Sequence, residues 1–282
     1  MVSAYRTILV SLNEIDRLEA VLDGAGAIAA AGKAHLIGLY VIPAPTVYPA
    51  VGPYVVPEVF DGLTRYFEEQ SKNTRAKFTL ALGRHGLQGD WLEVRAQGPT
   101  LSETVSEIGR SADLIVLSET NRDGKTGGEL DFAENVILGA ARPVLILPRA
   151  WSPPLRGEVI ACGYNGSKEA SRALHEAVPL LMGAREVRLI WVDPPEGEPG
   201  EPMPRGSLMA ASLNRQGVKA KLETLPSNGR NAADVVVARA GELQAGIIVM
   251  GAYGHSRIRE FVLGGATRHA LNHIPIPMLM SH

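Results

Sequence analysis

The chain repeats itself, and the repeat constrains the fold more than any single motif does. "RTILVSLNE", Arg6 to Glu14, and "EVIACGYNG", Glu158 to Gly166, are each a short apolar run ending in asparagine, Asn13 and Asn165. Each leads into an Ala- and Leu-rich stretch of helical pattern. "HLIGLYVIPAP" then matches "EVRLIWVDPPE", "WLEVRAQG" matches "VKAKLETLP", and "TLSETVSEIGRSADLIVLSE" matches "NAADVVVARAGELQAGIIVMGA". "ARPVLILP" and "IPIPMLM" close the halves as proline-led runs. Val-, Ile- and Leu-rich strands separated by helical segments predict β-α-β-α-β-α-β-α-β twice. The fold class is therefore α/β, two tandem doubly wound domains, each built on a five-stranded parallel sheet.

The expected domains are residues 1–149 and 158–282, joined by a linker at 150–157 that contains "WSPPLRG", whose adjacent prolines stop both helix and strand. A length of 282 residues gives each half room for its own core. The offset between equivalents falls from 152 (Asn13 to Asn165) to 134 (Pro143 to Pro277), so the second half is shorter after its second strand. There the first half carries a proline-punctuated loop from Pro43 to Pro57, with Tyr48 and Tyr54, and then a long amphipathic helix. That loop reads as packing over its own domain, as a lid, or as a partner surface. Thr100 with Glu103 spells a capping box, and Asn231 with Asp234 is its counterpart in the second half.

In a parallel α/β sheet, ligands bind outside the carboxyl ends of the strands, where helix N-termini favour anions. "GIIVMGA" delivers Gly251 and Gly254 to that edge, and Gly264 with Gly265 opens the helix "GGATRHALNH", with Thr267 one turn in. Glycines there permit sharp turns and close approach to a ligand. The intervening "HSRIREFVL" supplies His255, Arg257 and Arg259 as counter-charges for a polyphosphate. Val192 and Met250, at strand ends, and Asp193 complete the candidate set. Asp193 reads equally as a ribose or magnesium contact and as a turn former before Pro194.

The segment "GAYGHSRIREFVLGGAT" resembles the Gly-x2-Gly-x9-Gly-(Ser/Thr) signature of nucleotide-binding universal stress proteins, and the two-fold repeat resembles the tandem branch of that family. The resemblance implies ATP, AMP or ADP, with Mg2+, lying across the strand ends of the second domain. It implies Asn165 at the adenine, Gly251 and Gly254 along the ribose and phosphate path, and Gly264 and Gly265 at the phosphates. The chain departs from the pattern in Asn165, where Asp is usual, and in Gly265, which replaces a hydroxyl that Thr267 would supply. It also implies two domains packed about a pseudo-two-fold axis with fifth strands adjacent, a homodimer, an unidentified protein partner, and a regulatory stress-response role rather than an enzyme.

The first half has Ser118 and Asn121 where Gly251 and Gly254 stand, and no Gly-Gly at its last helix, so one nucleotide per chain is expected. "GKT" at Gly124 to Thr126 lacks the earlier glycine of a phosphate-binding loop and reads as surface. His269, His273 and His282 have no carboxylate partner at metal-site spacing and read as solvated or interface residues. A net charge of -2 offers no basic excess for nucleic acid. Cys162 is the single cysteine, set in an apolar run, which predicts a buried inert thiol. The absence of a signal-like start or of a long apolar span predicts a cytoplasmic protein. Two other readings stay open, a pseudo-dimeric interaction scaffold that binds no nucleotide and a slow ATPase. An adenylating enzyme lacks its Ser-Gly-Gly sequence in both halves.

Overall fold

The computed structural model describes residues 4–44, 57–96, 98, 100–120, 129–195, 205–252 and 274–282. The first half contains β1 (Thr7–Ser11), α1 (Leu18–Gly32), β2 (His35–Ile42), α2 (Pro57–His85), β3 (Gly89–Arg95), α3 (Leu101–Gly109), β4 (Leu114–Ser118), α4 (Phe132–Ala140) and β5 (Val144–Leu147). The second contains β6 (Val159–Gly163), α5 (Lys168–Glu176), the short α6 (Val178–Leu181), β7 (Glu186–Val192), α7 (Arg205–Arg215), β8 (Ala220–Leu225), α8 (Ala232–Glu242), β9 (Ile247–Gly251) and β10 (Met278–Ser281).

These strands form one sheet in the order β3-β2-β1-β4-β5-β10-β9-β6-β7-β8. Within each half the pairing is parallel, and the halves meet where β5 and β10 run antiparallel, with Leu145 opposite Leu279, Ile146 opposite Met278 and Val144 opposite Met280. The expected adjacency of the fifth strands is therefore present, and it merges the two sheets into one. Leu145, Ile146, Met278 and Leu279 are fully buried. Burying each such side chain contributes roughly 1.5–3 kcal/mol, so the seam is a core and not a loose contact.

Helices cover both faces, as continuous apolar strands require. Side chains of α1, α2, α5 and α7 pack on one face with Ile8 and Val10 of β1. Those of α3, α4 and α8 pack on the other with Leu9. Along α2, Ser71, Thr74, Phe78 and Ala81 are buried at three- and four-residue spacing, the stripe by which an amphipathic helix meets a sheet.

The capping box at α3 forms differently from the sequence expectation. Thr100 is the N-cap residue but its side chain makes no capping bond. Instead the Glu129 carboxylate accepts the Ser102 N–H (3.1 Å) and Ser102 Oγ–H (2.5 Å). At α8 the Asn231 side chain does cap, accepting the Ala233 N–H at 2.9 Å. Arg17 donates to the carbonyls of Pro148 (2.9 Å) and Trp151 (2.6 Å), holding the chain where it leaves β5. Residues 45–56 of the Pro43 to Pro57 loop, and Gly124 to Thr126, lie outside the described residues.

Candidate functional site

From β6 the chain proceeds to β7 on one side, while β9 returns on the other side of β6. Loops diverge at such a reversal and leave a crevice beyond the carboxyl ends of the strands. A cleft of about 460 Å³ occupies it. Gly163, Ile190, Val192 and Met250 form its floor, Ala170 of α5 and Ala233 and Val236 of α8 its walls, and Asn165, Ser167 and Ala232 its rim. Beside the floor, Tyr164 and Trp191 stack edge to face, ring centroids 5.0 Å apart.

Two helix N-termini border this apolar slot. Ser167 Oγ caps α5 by accepting the Ala170 N–H at 3.1 Å, and the Asn165 Oδ1 accepts the Ser167 N–H at 3.1 Å. The α8 start is capped by Asn231. Both helix dipoles present their positive ends to the rim, which favours an anionic group there. The arrangement suits a flat apolar body in the slot with a charged tail outside it.

Gly251 ends β9 against α5. A Cβ on it would lie 2.4 Å from the Ala170 nitrogen and 2.6 Å from the Glu169 carbonyl carbon. Both are backbone atoms, so only glycine lets helix and strand approach this closely.

Of the residues singled out in the sequence, Asn165, Val192, Met250 and Gly251 come together at the cleft. Asp193 does not line it. It stands at a φ of 45°, and its Oδ1 accepts the Ser227 N–H at 3.0 Å; hydrogen bonding by Ser227, from its side chain first and its backbone N–H second, holds the Asp193 carboxyl below the usual range. Gly254, His255, Arg257, Gly264, Gly265 and Thr267 lie outside the described residues, as do Arg259, His269 and His273. His282 faces the Ala252 carbonyl through Nδ1 at 3.2 Å. The α8 contribution, Ala232, Ala233 and Val236, was missed. Its signal was available, because the Asn231 cap places the start of α8 at the carboxyl edge of the sheet.

The matching place in the first half is lined by Ser11, Asn13, Glu14, Leu101, Leu117, Ser118, Glu129 and Phe132 and is smaller, about 330 Å³. Leu101 stands where Ala232 does, and Ser118 where Gly251 does. Phe132 is buried and Glu129 reaches across to α3. Bulk and a carboxylate thus occupy what is open space in the second half.

Among the described residues no group of three or more His, Cys, Asp or Glu is placed to hold a metal ion, and no helix is long and apolar enough to cross a membrane. Cys162 is fully buried, and burial pushes its thiol pKa up.

Residues 158–282 match the model of the universal stress protein family. A universal stress protein of Synechocystis sp. is 25% identical over 217 residues, spanning 73% of this chain and 71% of that relative. The crystal structure of a universal stress protein from Archaeoglobus fulgidus superposes with a TM-score of 0.69 at 16% identity, over 98% of this chain and 95% of that one. A functionally unknown protein from Pseudomonas aeruginosa gives 0.54 at 14% identity, over 99% and 92%. At such identities the structural likeness speaks for the fold alone.

Proposed function

Taking as premise that the C-terminal part of this chain is a domain of the universal stress protein family, we propose that the cleft of the second half binds an adenine nucleotide, ATP or its AMP and ADP relatives, and that the protein is a regulator whose state follows that occupancy. The observation that carries this reading is the cleft itself. It is an apolar slot at the strand-order reversal, open beside Val192 and Met250 and flanked by the N-termini of α5 and α8.

In this reading the base lies over Val192, Met250 and Val236 with Asn165 beside it, and Gly251 borders the ribose. The phosphates run toward Gly254, His255, Arg257, Gly264, Gly265 and Thr267, with magnesium as counter-ion. Asp193 organises the turn at the end of β7 through Ser227. In this reading the chain's own groups bind and orient the nucleotide, and the protein acts by its bound state and not by turnover. The reading extends to a protein partner that senses the bound state and to association of two chains.

The test is isothermal titration of ATP and of AMP, with magnesium, into nucleotide-stripped full-length protein. One equivalent per chain is expected. Two equivalents would refute a silent first half, and no binding would leave a pseudo-dimeric scaffold in its place. Replacing Gly264 with valine should abolish binding.

A further inference from the structure

The two halves hold the same asparagine at the end of their first strand and use it in opposite ways. Asn13 turns across to the second strand. Its Nδ2–H donates to the Val41 carbonyl at 2.7 Å and its Oδ1 accepts the Val41 N–H at 3.1 Å. Both main-chain groups of Val41 on that side are thereby taken.

Val192 is the equivalent of Val41, as the ladders establish. Leu12 N–H donates to the Leu39 carbonyl and Tyr164 N–H to the Ile190 carbonyl, each at 2.9 Å, two residues before the valine. Asp193 N–H points the other way, to Leu225, so Val192 faces the side on which β6 has already ended. There no hydrogen bond from another described residue reaches its main chain, and the Asn165 Oδ1 accepts the Ser167 N–H instead. Val192 borders the open cleft.

A side-chain amide presents one acceptor beside one donor. An adenine edge, a ring nitrogen beside the exocyclic amine, presents the same pair. Asn13 therefore fills, with the chain's own amide, the place at Val41 that a base would fill at Val192.

The residue that follows each asparagine separates the two outcomes. Gly166 stands at a φ of 75°, a conformation that side-chain-bearing residues rarely adopt, and this turn brings the Ser167 N–H under Asn165. Space is not the reason for the glycine, since a Cβ there would meet only Trp191 ring atoms, at 3.4 and 3.6 Å. Glu14 has a φ of -83° and forms no such turn.

We propose that Gly166 against Glu14 is the choice that determines which half can take a base. Glycine folds the asparagine amide back onto its own turn and leaves the valine edge open; glutamate leaves the amide to close it. This rests on the nucleotide reading for the base, but the amide switch is measurable without any ligand.

The experiment is residue-resolved amide hydrogen exchange on the full chain, with ATP titration alongside. In the natural protein the Val41 N–H should exchange more slowly than that of Val192. Gly166→Ala, which removes only the freedom of φ, should slow Val192 exchange about tenfold, the protection of one hydrogen bond, and weaken ATP binding by at least about the same factor. Asn13→Ala should speed Val41 exchange about tenfold and leave Val192 unchanged; it serves if Gly166→Ala does not fold. Unchanged exchange at Val192 in the first variant, or at Val41 in the second, overturns the proposal. Exchange that shifts as stated in a protein that binds neither ATP nor AMP upholds the switch and overturns the nucleotide reading alone.

Discussion

Gly251 and Cys162 are both decided by what lies within a few ångströms of them. Gly251 looks like a ligand-facing glycine in the sequence, yet its missing Cβ is what admits the α5 backbone. Gly251→Ala should lower stability by about 1–3 kcal/mol, the usual range for overpacking a close contact. Thermal unfolding would read this as a drop in melting temperature with or without nucleotide. Unchanged melting would mean that α5 can move away freely. For that reason a loss of binding in Gly251→Ala would not by itself report a ligand contact. Cys162 behaves as its apolar surroundings in the sequence foretell. Burial pushes its thiol up and away from the reactive thiolate. Alkylation of the native protein should proceed no faster than global unfolding, and rapid labelling without denaturant would contradict the burial. The thiol was legible because its own neighbours enclose it. The packing role of Gly251 was not, because the helix that approaches it lies some eighty residues earlier in the chain.

At the scale of elements, helices were legible from periodicity, and their caps only in part. Asn231 caps α8 through its own side chain, a local interaction that a local motif can announce. At α3 the motif "TLSE" promises the same, but the bonding acceptor is Glu129, 27 residues further along. Thr100→Ala should therefore change stability by less than about 0.5 kcal/mol, whereas Glu129→Ala should cost about 1 kcal/mol, as loss of a cap does. Urea unfolding of the two variants would separate them. Equal losses would restore the local capping box. Asn13 and Asn165 teach the same lesson from the other side. They are identical letters in matching strands, and the backbone angle of the next residue sets what each amide touches.

Across the whole molecule, the halves are joined by more than the β5–β10 seam. Tyr5 Oη–H donates to the Glu176 carbonyl at 2.8 Å and Arg172 Nη2–H to the Ala141 carbonyl at 2.8 Å, while within the second half Ser281 Oγ–H donates to the Glu176 carboxylate at 2.5 Å. Helix α5 thus touches the cleft at its start and the first half at its end. Burial, with Glu176 nearby, raises the Tyr5 phenol well above its ordinary value of 10.0. A raised folded-state value means that the tyrosine's stabilisation is complete below pH 10 and is lost as pH rises beyond it. Tyr40, raised to about 12 by burial, adds to the same alkaline decline. Tyr5→Phe should cost about 1 kcal/mol at neutral pH and flatten the loss of stability above pH ~10. Unfolding measured at both pH values checks this, and parallel losses in the two proteins would refute it. The internal repeat and the two-sided apolar strands were enough to determine a doubled α/β architecture and to point to the strand edge where the candidate site lies, because hydrophobic periodicity and strand order are local properties summed along the chain. Only the tertiary structure decided which asparagine leaves a valine edge open, which carboxylate caps α3 and why Gly251 must be glycine, because each depends on atoms brought together from distant residues by close packing.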